Sequence, residues 1–350
     1  MTSVERHPQL SYAFTCFCNF VPLLLACLTL CVGVGSRMDF DSVCPEFRRR
    51  VNLLFVGVEK KAHPYPDFLE RFRGSAYLVE IPHHQEGPAG LREAAFGDDG
   101  LVVVDVGKQA LFTQAHIPGA RFLDYGHLVA NSGRTHGLLP DRGHLEALFS
   151  SLGIGPETRV VACDDEGGGK AARLVWTLHC AGHNKASLLN GGLHAWLNEG
   201  FPHTPATGAV EPARFEYREN PDPVISGEEI LQRIDDARLQ LLDARSLAEY
   251  NGEQRFSMRA GHIPGAIHYE WTRPLDMQRN LRLRDEETLQ HELSALGFDR
   301  EKEIGCYCQT HHRSSLPWVV LKHLGYTQVK GYPGSWSDWG NRSNYPAETT

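Results

Sequence analysis

One thiol in this chain follows a short apolar run and begins a polar loop. Residues 304–315 read I-G-C-Y-C-Q-T-H-H-R-S-S, in which 304–307 is predicted to be a buried strand and 316–325 a helix. A strand-to-helix loop can direct backbone N–H groups inward at the positive end of a helix, which favours a bound anion. We therefore expect Cys308 to react as a thiolate and Arg313 to bind an oxyanion.

The polar side chains after Cys308 each allow a second interpretation. Cys308 itself could be a buried core cysteine, but the polar run that follows it is untypical of a core, which favours the reactive interpretation. His311 and His312 either add positive charge beside the thiolate when protonated or are exposed loop residues. Arg313 either contacts the substrate or anchors the loop. The predicted active-site loop consists of Gln309, Thr310, His311, His312 and Ser314.

The C-x-C pair formed by Cys306 and Cys308 raises the question of a disulfide or a metal site. Residues i and i+2 of a strand lie about 6.6 Å apart, close to the upper limit for a disulfide. Zinc sites need further ligands at known spacings, and the adjacent His311 and His312 are expected to diverge. We predict no metal site and no cofactor.

Composition bounds the function classes. The chain has 350 residues and a net charge of −8, which gives no basic patch for a nucleic acid. Five of the nine cysteines lie in the first 44 residues and four are scattered over the rest. Scattered cysteines do not make a disulfide framework, so the main body is expected to work in the cytoplasm. The chain is also expected to be a monomer.

Residues 1–77 differ from the remainder and are predicted to be an N-terminal extension. Residues 14–35 are mostly apolar and are consistent with a secretory signal or a marginal membrane anchor. A working signal or anchor would make the protein periplasmic or membrane-attached. The alternative is an extension with no part in function.

The sequence after residue 77 repeats itself. H-I-P-G-A occurs at 116–120 and again at 262–266, and N-G-G-L-H-A-W at 190–196 matches P-G-S-W-S-D-W at 333–339. Short apolar runs alternate with helical patterns in both units, which predicts an α/β fold with a parallel sheet flanked by helices, twice over. The predicted domains are 78–200 and 224–345, joined by a proline-containing linker, 201–223.

The repeat supplies an internal comparison for the reactive loop. The position of Cys308 is taken in the first unit by Asp164, followed by D-E-G-G-G-K. The first unit is therefore predicted to be non-catalytic. We expect the cleft to lie where the Cys308 loop faces the first unit.

These motifs together resemble the tandem-domain rhodaneses over about residues 77–345. F-T-Q-A-H-I-P-G-A-R-F-L at 112–123 is similar to the first-domain signature of that family, and V-K-G-Y-P-G-S-W-S-D-W at 329–339 to its C-terminal signature, with Asp338 where Glu is usual. The C-Q-T-H-H-R-S loop resembles that of a bacterial subgroup. The resemblance implies that Cys308 carries sulfur as a persulfide and that Arg245, in L-L-D-A-R-S, binds the anionic group of the donor.

The resemblance implies a sulfurtransferase that takes sulfane sulfur from thiosulfate, a small anionic donor, and gives it to cyanide, a thiol or a dithiol. The loop lacks the lysine of vertebrate thiosulfate enzymes and the C-G-S-G-V pattern of mercaptopyruvate enzymes, so 3-mercaptopyruvate stays an alternative donor. A persulfide carrier or regulatory module serving a protein partner is a further alternative. A cysteine phosphatase is disfavoured because only four residues separate Cys308 from Arg313.

Overall fold

The computed structural model describes residues 77–80 and 100–349. The predicted extension, apart from Tyr77, and the apolar segment 14–35 lie outside the described residues. The described residues, 77–80 and 100–349, belong to one compact unit. Within the described ranges, no helix has the length and apolar character needed to cross a bilayer.

The first repeat is built on a parallel sheet. Its strands are β1 (Leu78–Val79), β2 (Leu101–Asp105), β3 (Arg121–Phe122), β4 (Ala130–Ser132), β5 (Thr135–Leu138), β6 (Arg159–Cys163) and β7 (Ala186–Leu189). Its helices are α1 (Gln109–Phe112), α2 (Arg142–Ser151), α3 (Gly169–Cys180) and α4 (Gly192–Asn198), with a 3-10 turn at Tyr125–Leu128. The parallel sheet has the order β1-β7-β6-β2-β3, and β4 and β5 form a separate antiparallel pair.

The second repeat has the same plan. It contains α5 (Gly227–Gln232), β8 (Leu239–Asp243), α6 (Leu247–Tyr250), β9 (Ile267–His268), β10 (Leu275–Asp276), β11 (Arg282–Leu283), α7 (Glu286–Ala295), β12 (Glu303–Tyr307), α8 (Ser315–His323), β13 (Val329–Gly331) and α9 (Ser335–Trp339). The parallel sheet runs β13-β12-β8-β9, and β10 pairs antiparallel with β11. The predicted strand at 304–307 and the predicted helix at 316–325 are confirmed with bounds shifted by one or two residues.

Both faces of each parallel sheet are buried, which explains the continuous apolar runs. Alternate residues of one strand point to opposite faces, so Val102 and Val104 enter a core shared by both repeats while Val103 enters a core of the first repeat alone. Helices α3 and α8 lie in the shared core and pack on each other. The predicted α/β fold class, a parallel sheet flanked by helices in each repeat, is confirmed.

The matched motifs make matched contacts. In each H-I-P-G-A motif the buried histidine stacks on an aromatic ring, His116 on Phe112 at 3.8 Å and His262 on Tyr250 at 3.7 Å between centroids. These histidines brace their repeats and contribute no hydrogen bond to the loop after β12. The repeat detected in sequence is therefore also a repeat of contacts.

Candidate active site

Cys308 directly follows β12, at the carboxyl edge of the second sheet. It is fully buried, and so is His311 three residues later. The polar run therefore does not keep the loop at the surface, and the sequence argument against burial is wrong on this point. The loop tolerates burial because protein groups satisfy its carbonyls.

Each backbone carbonyl from Cys308 to Ser314 accepts a hydrogen bond. The C-terminal motif supplies two donors, since the N–H of Trp336 binds the Cys308 carbonyl and that of Ser337 binds the Gln309 carbonyl, both at 2.9 Å. Arg173 donates to the carbonyls of Thr310 and His311 at 3.2 and 3.3 Å. The next three carbonyls accept from N–H groups in the first turn of α8. The loop is thus held from its outer side.

In contrast to these carbonyls, the backbone N–H groups of residues 309–314 lack hydrogen-bond partners in the described structure. They donate no hydrogen bond to any residue that the structure describes. All described peptide bonds are trans, so each N–H points away from the carbonyl of the residue before it. His311 and Ser314 are buried and the other four residues of the run are partly buried. A run of N–H groups without protein acceptors is an anion-binding arrangement.

The first repeat shows what such a loop holds. The carboxylate of Asp164, which takes the place of Cys308, accepts hydrogen bonds from the N–H groups of Glu166, Gly168 and Ala171 at 3.1, 2.8 and 2.9 Å. The carbonyl of Asp164 is bound by the N–H of Leu193 at 2.9 Å, as that of Cys308 is by Trp336. One loop therefore encloses the carboxyl group of its own Asp164, whose pKa is raised by burial and lowered by these hydrogen bonds, with a net rise, and the other encloses a thiol.

Arg313 is held by a carboxylate. Its Nη1 and Nη2 donate to Oε2 and Oε1 of Glu249 at 2.6 and 2.9 Å. Burial disfavours ionisation of Glu249, but the hydrogen bond and charge of Arg313 outweigh burial and lower the pKa of Glu249. This geometry agrees with the anchoring interpretation of Arg313, because both terminal nitrogens are already engaged.

Arg245 is almost completely buried beside Asp243, the last residue of β8. Its Nε donates to Oδ1 of Asp243 at 2.9 Å, and its Nη2 donates to Oδ2 at 2.6 Å and to the Gly261 carbonyl at 2.7 Å. The guanidinium also lies 4.5 Å from the centre of the Trp336 ring. The third nitrogen, Nη1, donates to no residue in the described part of the chain. Arg245 therefore has one nitrogen left for a substrate.

The two histidines diverge, as the sequence indicated, but neither is simply exposed. His311 adopts a φ of 53° and its Nδ1 lies 2.7 Å from Oγ of Ser314. Burial, and then the charge of Arg173, lowers the pKa of His311 well below its ordinary value, which disfavours the charged imidazolium. Complete burial contradicts the interpretation of His311 as an exposed loop residue, while the lowered pKa disfavours a positive charge without excluding it. His312 is half-buried and its Nε2 bonds Glu166 of the first repeat.

The other predicted loop residues make structural contacts. Gln309 donates from Nε2 to Oγ of Ser257 at 3.1 Å, and its Oε1 is buried without a hydrogen-bond partner in the described structure. Thr310 approaches β5 so closely that a Cβ on Gly137 would clash with its carbonyl. The Cys308 loop thus packs against the first repeat, where the cleft was expected.

Several residues that shape the site were not selected from the sequence. Asp243 and Glu249 hold the two arginines, and Ser335 accepts the Cys308 N–H at 3.2 Å. Glu249 was detectable, because S-L-A-E at 246–249 is a capping-box pattern and the structure forms that box. No described group of His, Cys, Asp and Glu has the arrangement of a metal site.

Comparison with known families agrees with these observations. A family model described as Rhodanese-like domain matches residues 89–199 and again 226–342. The chain belongs to the rhodanese family. This second match contains the Cys308 loop, and the first contains its Asp164 counterpart.

Individual relatives cover most of both repeats. A thiosulfate sulfurtransferase of Azotobacter vinelandii is 42% identical over 248 residues, 71% of this chain and 91% of that protein. A sulfur carrier protein of Thermus thermophilus is 33% identical over 252 residues, 67% of this chain and 86% of that protein. An anaerobic ergothioneine biosynthesis enzyme from Chlorobium limicola shares the rhodanese fold, with a TM-score of 0.67 at 22% identity over 81% of this chain and 74% of that one.

The first rhodanese repeat retains the acid of the D-A-R motif without its arginine. Asp105 stands at the position of Asp243, and Gly107 at that of Arg245. Oδ2 of Asp105 is buried without a hydrogen-bond partner in the described structure, and burial raises the pKa of Asp105 to about 6. The neighbouring Asp164 and Asp165 raise it further.

This unpaired acid makes stability depend on pH. Because the folded pKa of Asp105 is raised to about 6 from 3.8, its contribution to stability is complete below about pH 4 and is lost as pH rises through about 6. Between about pH 4 and about pH 8 the wild type is expected to lose on the order of 3 kcal/mol of its free energy of unfolding through Asp105. We expect Asp105→Asn to remove this loss. Urea unfolding of the wild type and the variant at the two pH values measures this change. The same pH-dependent change in unfolding free energy in both proteins would show that folding does not raise the pKa of Asp105.

The carboxylate of Asp164 braces the first loop, so its removal is expected to affect stability more than chemistry. Asp164→Ala leaves two buried N–H groups and one partly buried N–H group without their acceptor, which is expected to cost about 1–3 kcal/mol. Thermal unfolding and the rate of sulfur transfer, measured on the same preparation, separate the two effects. A transfer rate that falls more than about tenfold in a folded variant would make the first repeat part of the chemistry.

Proposed function

We propose that this rhodanese is a thiosulfate sulfurtransferase that works through a persulfide on Cys308. The observation that carries the proposal is the run of unpaired N–H groups at 309–314, which in the first repeat enclose a carboxylate and here follow a cysteine. An arrangement that stabilises an anion at this position favours both the thiolate and the persulfide anion. The similarity to a thiosulfate sulfurtransferase of Azotobacter vinelandii supports thiosulfate as the donor.

The chemistry divides into two balanced steps. The Cys308 thiolate attacks the outer sulfur of thiosulfate, an S–S bond forms, the S–S bond of the donor breaks, and sulfite leaves with the bonding electron pair. Cyanide then attacks the outer sulfur of the persulfide, and thiocyanate leaves while the thiolate is restored. A thiol or dithiol acceptor removes the same sulfur as a new persulfide.

The proposed site residues divide into binding and framework roles. The free Nη1 of Arg245 is suited to an oxygen of the sulfonate group, and the buried Asp243 keeps the rest of the guanidinium fixed. Arg313 and Glu249 close the loop as a bidentate ion pair. Gln309, Thr310, His311, His312 and Ser314 form the loop around the sulfur. Since Cys308 is buried, the side chains over it must move before a donor reaches it.

Donor preference tests this function directly. Steady-state transfer to cyanide is measured with thiosulfate and, separately, with 3-mercaptopyruvate, and we expect the larger kcat/KM with thiosulfate. A larger value with mercaptopyruvate would change the donor and keep the mechanism. No turnover with either donor, in a protein that still accepts sulfur, would contradict the enzyme proposal.

A persulfide carrier is the second candidate, because the chain is also similar to a sulfur carrier protein of Thermus thermophilus. The carrier needs the same Cys308 but delivers sulfur to a protein thiol. It is favoured if small acceptors discharge the persulfide slowly. We further propose that the protein works in the cytoplasm, since the four described cysteines are free thiols, and, as a separate point, that it is a monomer. Cell fractionation and sedimentation of the full chain test these two points.

A further inference from the structure

Arg173 is a fully buried cation of the first repeat, located in the middle of α3. Its nitrogens donate only to neutral oxygens. These are Oγ1 of Thr177 and the carbonyls of Leu128, Gly137, Leu138, Thr310 and His311. No carboxylate of the described chain pairs with it. An unpaired buried charge costs several kcal/mol, so its presence requires a compensating partner or role.

Two of these acceptors belong to the Cys308 loop. Nη1 binds the carbonyls of Thr310 and His311, at 3.2 and 3.3 Å. In a trans peptide the following N–H points the opposite way, so this contact turns the N–H groups of His311 and His312 away from Arg173. Both belong to the unpaired run at 309–314. Arg173 thus fixes the orientation of the anion-binding amides from the other repeat.

The ring of Trp176 completes the contact. It lies 4.8 Å from the guanidinium carbon of Arg173 and 4.4 Å from the ring of His311. The imidazole of His311 in turn leaves no room for a Cβ on Gly331 of β13. The loop is therefore clamped between α3 of the first repeat and the sheet of the second.

We propose that Arg173 is a positioning residue of the sulfurtransferase site, contributed by the first repeat, which has Asp164 at the position of Cys308. It holds two loop carbonyls outward, so that the amides face the sulfur, and its buried positive charge stabilises the anionic form of Cys308. The persulfide part of this inference rests on the proposed function, but the thiolate part does not.

The charged and titratable groups around this contact come from several elements. They are Tyr125 on the 3-10 turn, Glu166 before α3, Arg173 and Cys180 on α3, Cys306 on β12, and His311, His312 and Arg313 in the loop. Burial dominates at Arg173 and lowers its pKa, while interaction with Cys308 acts in the opposite direction. Arg313 is neutralised in part by Glu249, which leaves Arg173 as the unpaired cation.

The test follows the ionisation of Cys308 by its alkylation. Full-length protein is reacted with iodoacetamide over a range of pH, and modification of Cys308 is quantified by peptide mass mapping. In Arg173→Met, which keeps a long stem without the charge, we expect the midpoint of the rate profile to rise by about one pH unit or more. Arg173→Lys is expected to restore most of that shift, because it keeps the charge.

Arg282→Met is the matched control. Arg282 is also a buried arginine that joins the repeats, through Glu199 at 2.6 Å, but it does not hydrogen-bond the Cys308 loop. We expect its midpoint to match that of the wild type. An equal shift in this control, or no shift in a folded Arg173→Met, overturns the proposal.

A second measurement keeps the test decisive if Arg173→Met does not fold. The lysine variant has one nitrogen in place of a planar fork, so we expect its persulfide formation with thiosulfate to slow about tenfold while its alkylation midpoint stays near that of the wild type. A wild-type rate in this variant would contradict the role of the two carbonyl contacts. If the wild type itself forms no persulfide, the proposed function fails, while the alkylation profiles still decide the role of Arg173.

Discussion

Cys308→Ala is expected to take up no sulfur from thiosulfate and to transfer none to cyanide. The proposed reaction requires a sulfur nucleophile at this position, and among the four described cysteines it is Cys308 that precedes the run of N–H groups without acceptors. The alanine removes the thiol from a loop whose carbonyls remain fixed by Trp336, Ser337 and Arg173. The variant should therefore stay folded, with stability within about 1–2 kcal/mol of the wild type.

The matched control for this variant is Cys306→Ala. Cys306 is equally buried two residues earlier on β12, and burial raises its pKa well above the ordinary value, which keeps it an inert thiol. We expect this control to retain most of the activity. Turnover and sulfur uptake are measured on both proteins with thiosulfate and cyanide. Substantial turnover by Cys308→Ala would remove the persulfide mechanism.

Loss of Arg245 is expected to weaken donor binding and to destabilise the fold, and a single substitution does not separate these two effects. If Arg245 only bound the donor, its loss would raise the KM for the donor far more than it disturbed folding. The buried pair with Asp243 changes this expectation, because removing one partner leaves an uncompensated charge and costs about 3–5 kcal/mol. Arg245→Met should therefore lower stability as well as donor affinity.

The double variant Asp243→Asn, Arg245→Met separates the two effects. It removes both charges, so we expect it to regain most of the stability lost in Arg245→Met. Its KM for thiosulfate should still exceed that of the wild type by about tenfold or more, since the nitrogen proposed to hold the sulfonate is gone. Urea unfolding and steady-state kinetics supply both quantities. A wild-type KM in the folded double variant would exclude Arg245 from the donor site.

The sequence predicted the parts of the site that depend on local pattern and on repetition. The strand before Cys308, the helix after it, and its position against the first repeat all follow from apolar periodicity and from the comparison with Asp164. The pairing of Asp243 with Arg245 could also have been predicted from the sequence, because residues i and i+2 at a strand end point to one side.

The remaining features depend on contacts between distant residues. The five polar residues after Cys308 indicated an exposed loop, yet His311 is buried since Arg173 and the C-terminal motif satisfy the loop carbonyls. Arg173 lies in an apolar helix that gives no sign of its partners. Pairing between Arg313 and Glu249 spans 64 residues, and no local pattern specifies it.

The two repeats explain each other. The first keeps the loop and the carbonyl contact after β6 but fills the amides with Asp164, and it has Gly107 where the second has Arg245. The first repeat therefore lacks the cysteine and the arginine that we propose for the reaction, and it shares the loop and the carbonyl contact that surround Cys308. We interpret the first repeat as a support for the Cys308 loop, through Glu166, Trp176 and Arg173.

The most direct test of this account is the mass of the intact full-length protein before and after brief exposure to thiosulfate, with cyanide added afterwards. The account predicts a gain of one sulfur atom, mapped to the peptide that contains Cys308, and its complete removal by cyanide with release of thiocyanate. A gain that maps to another cysteine, or no gain with any sulfane donor, would contradict the central claim.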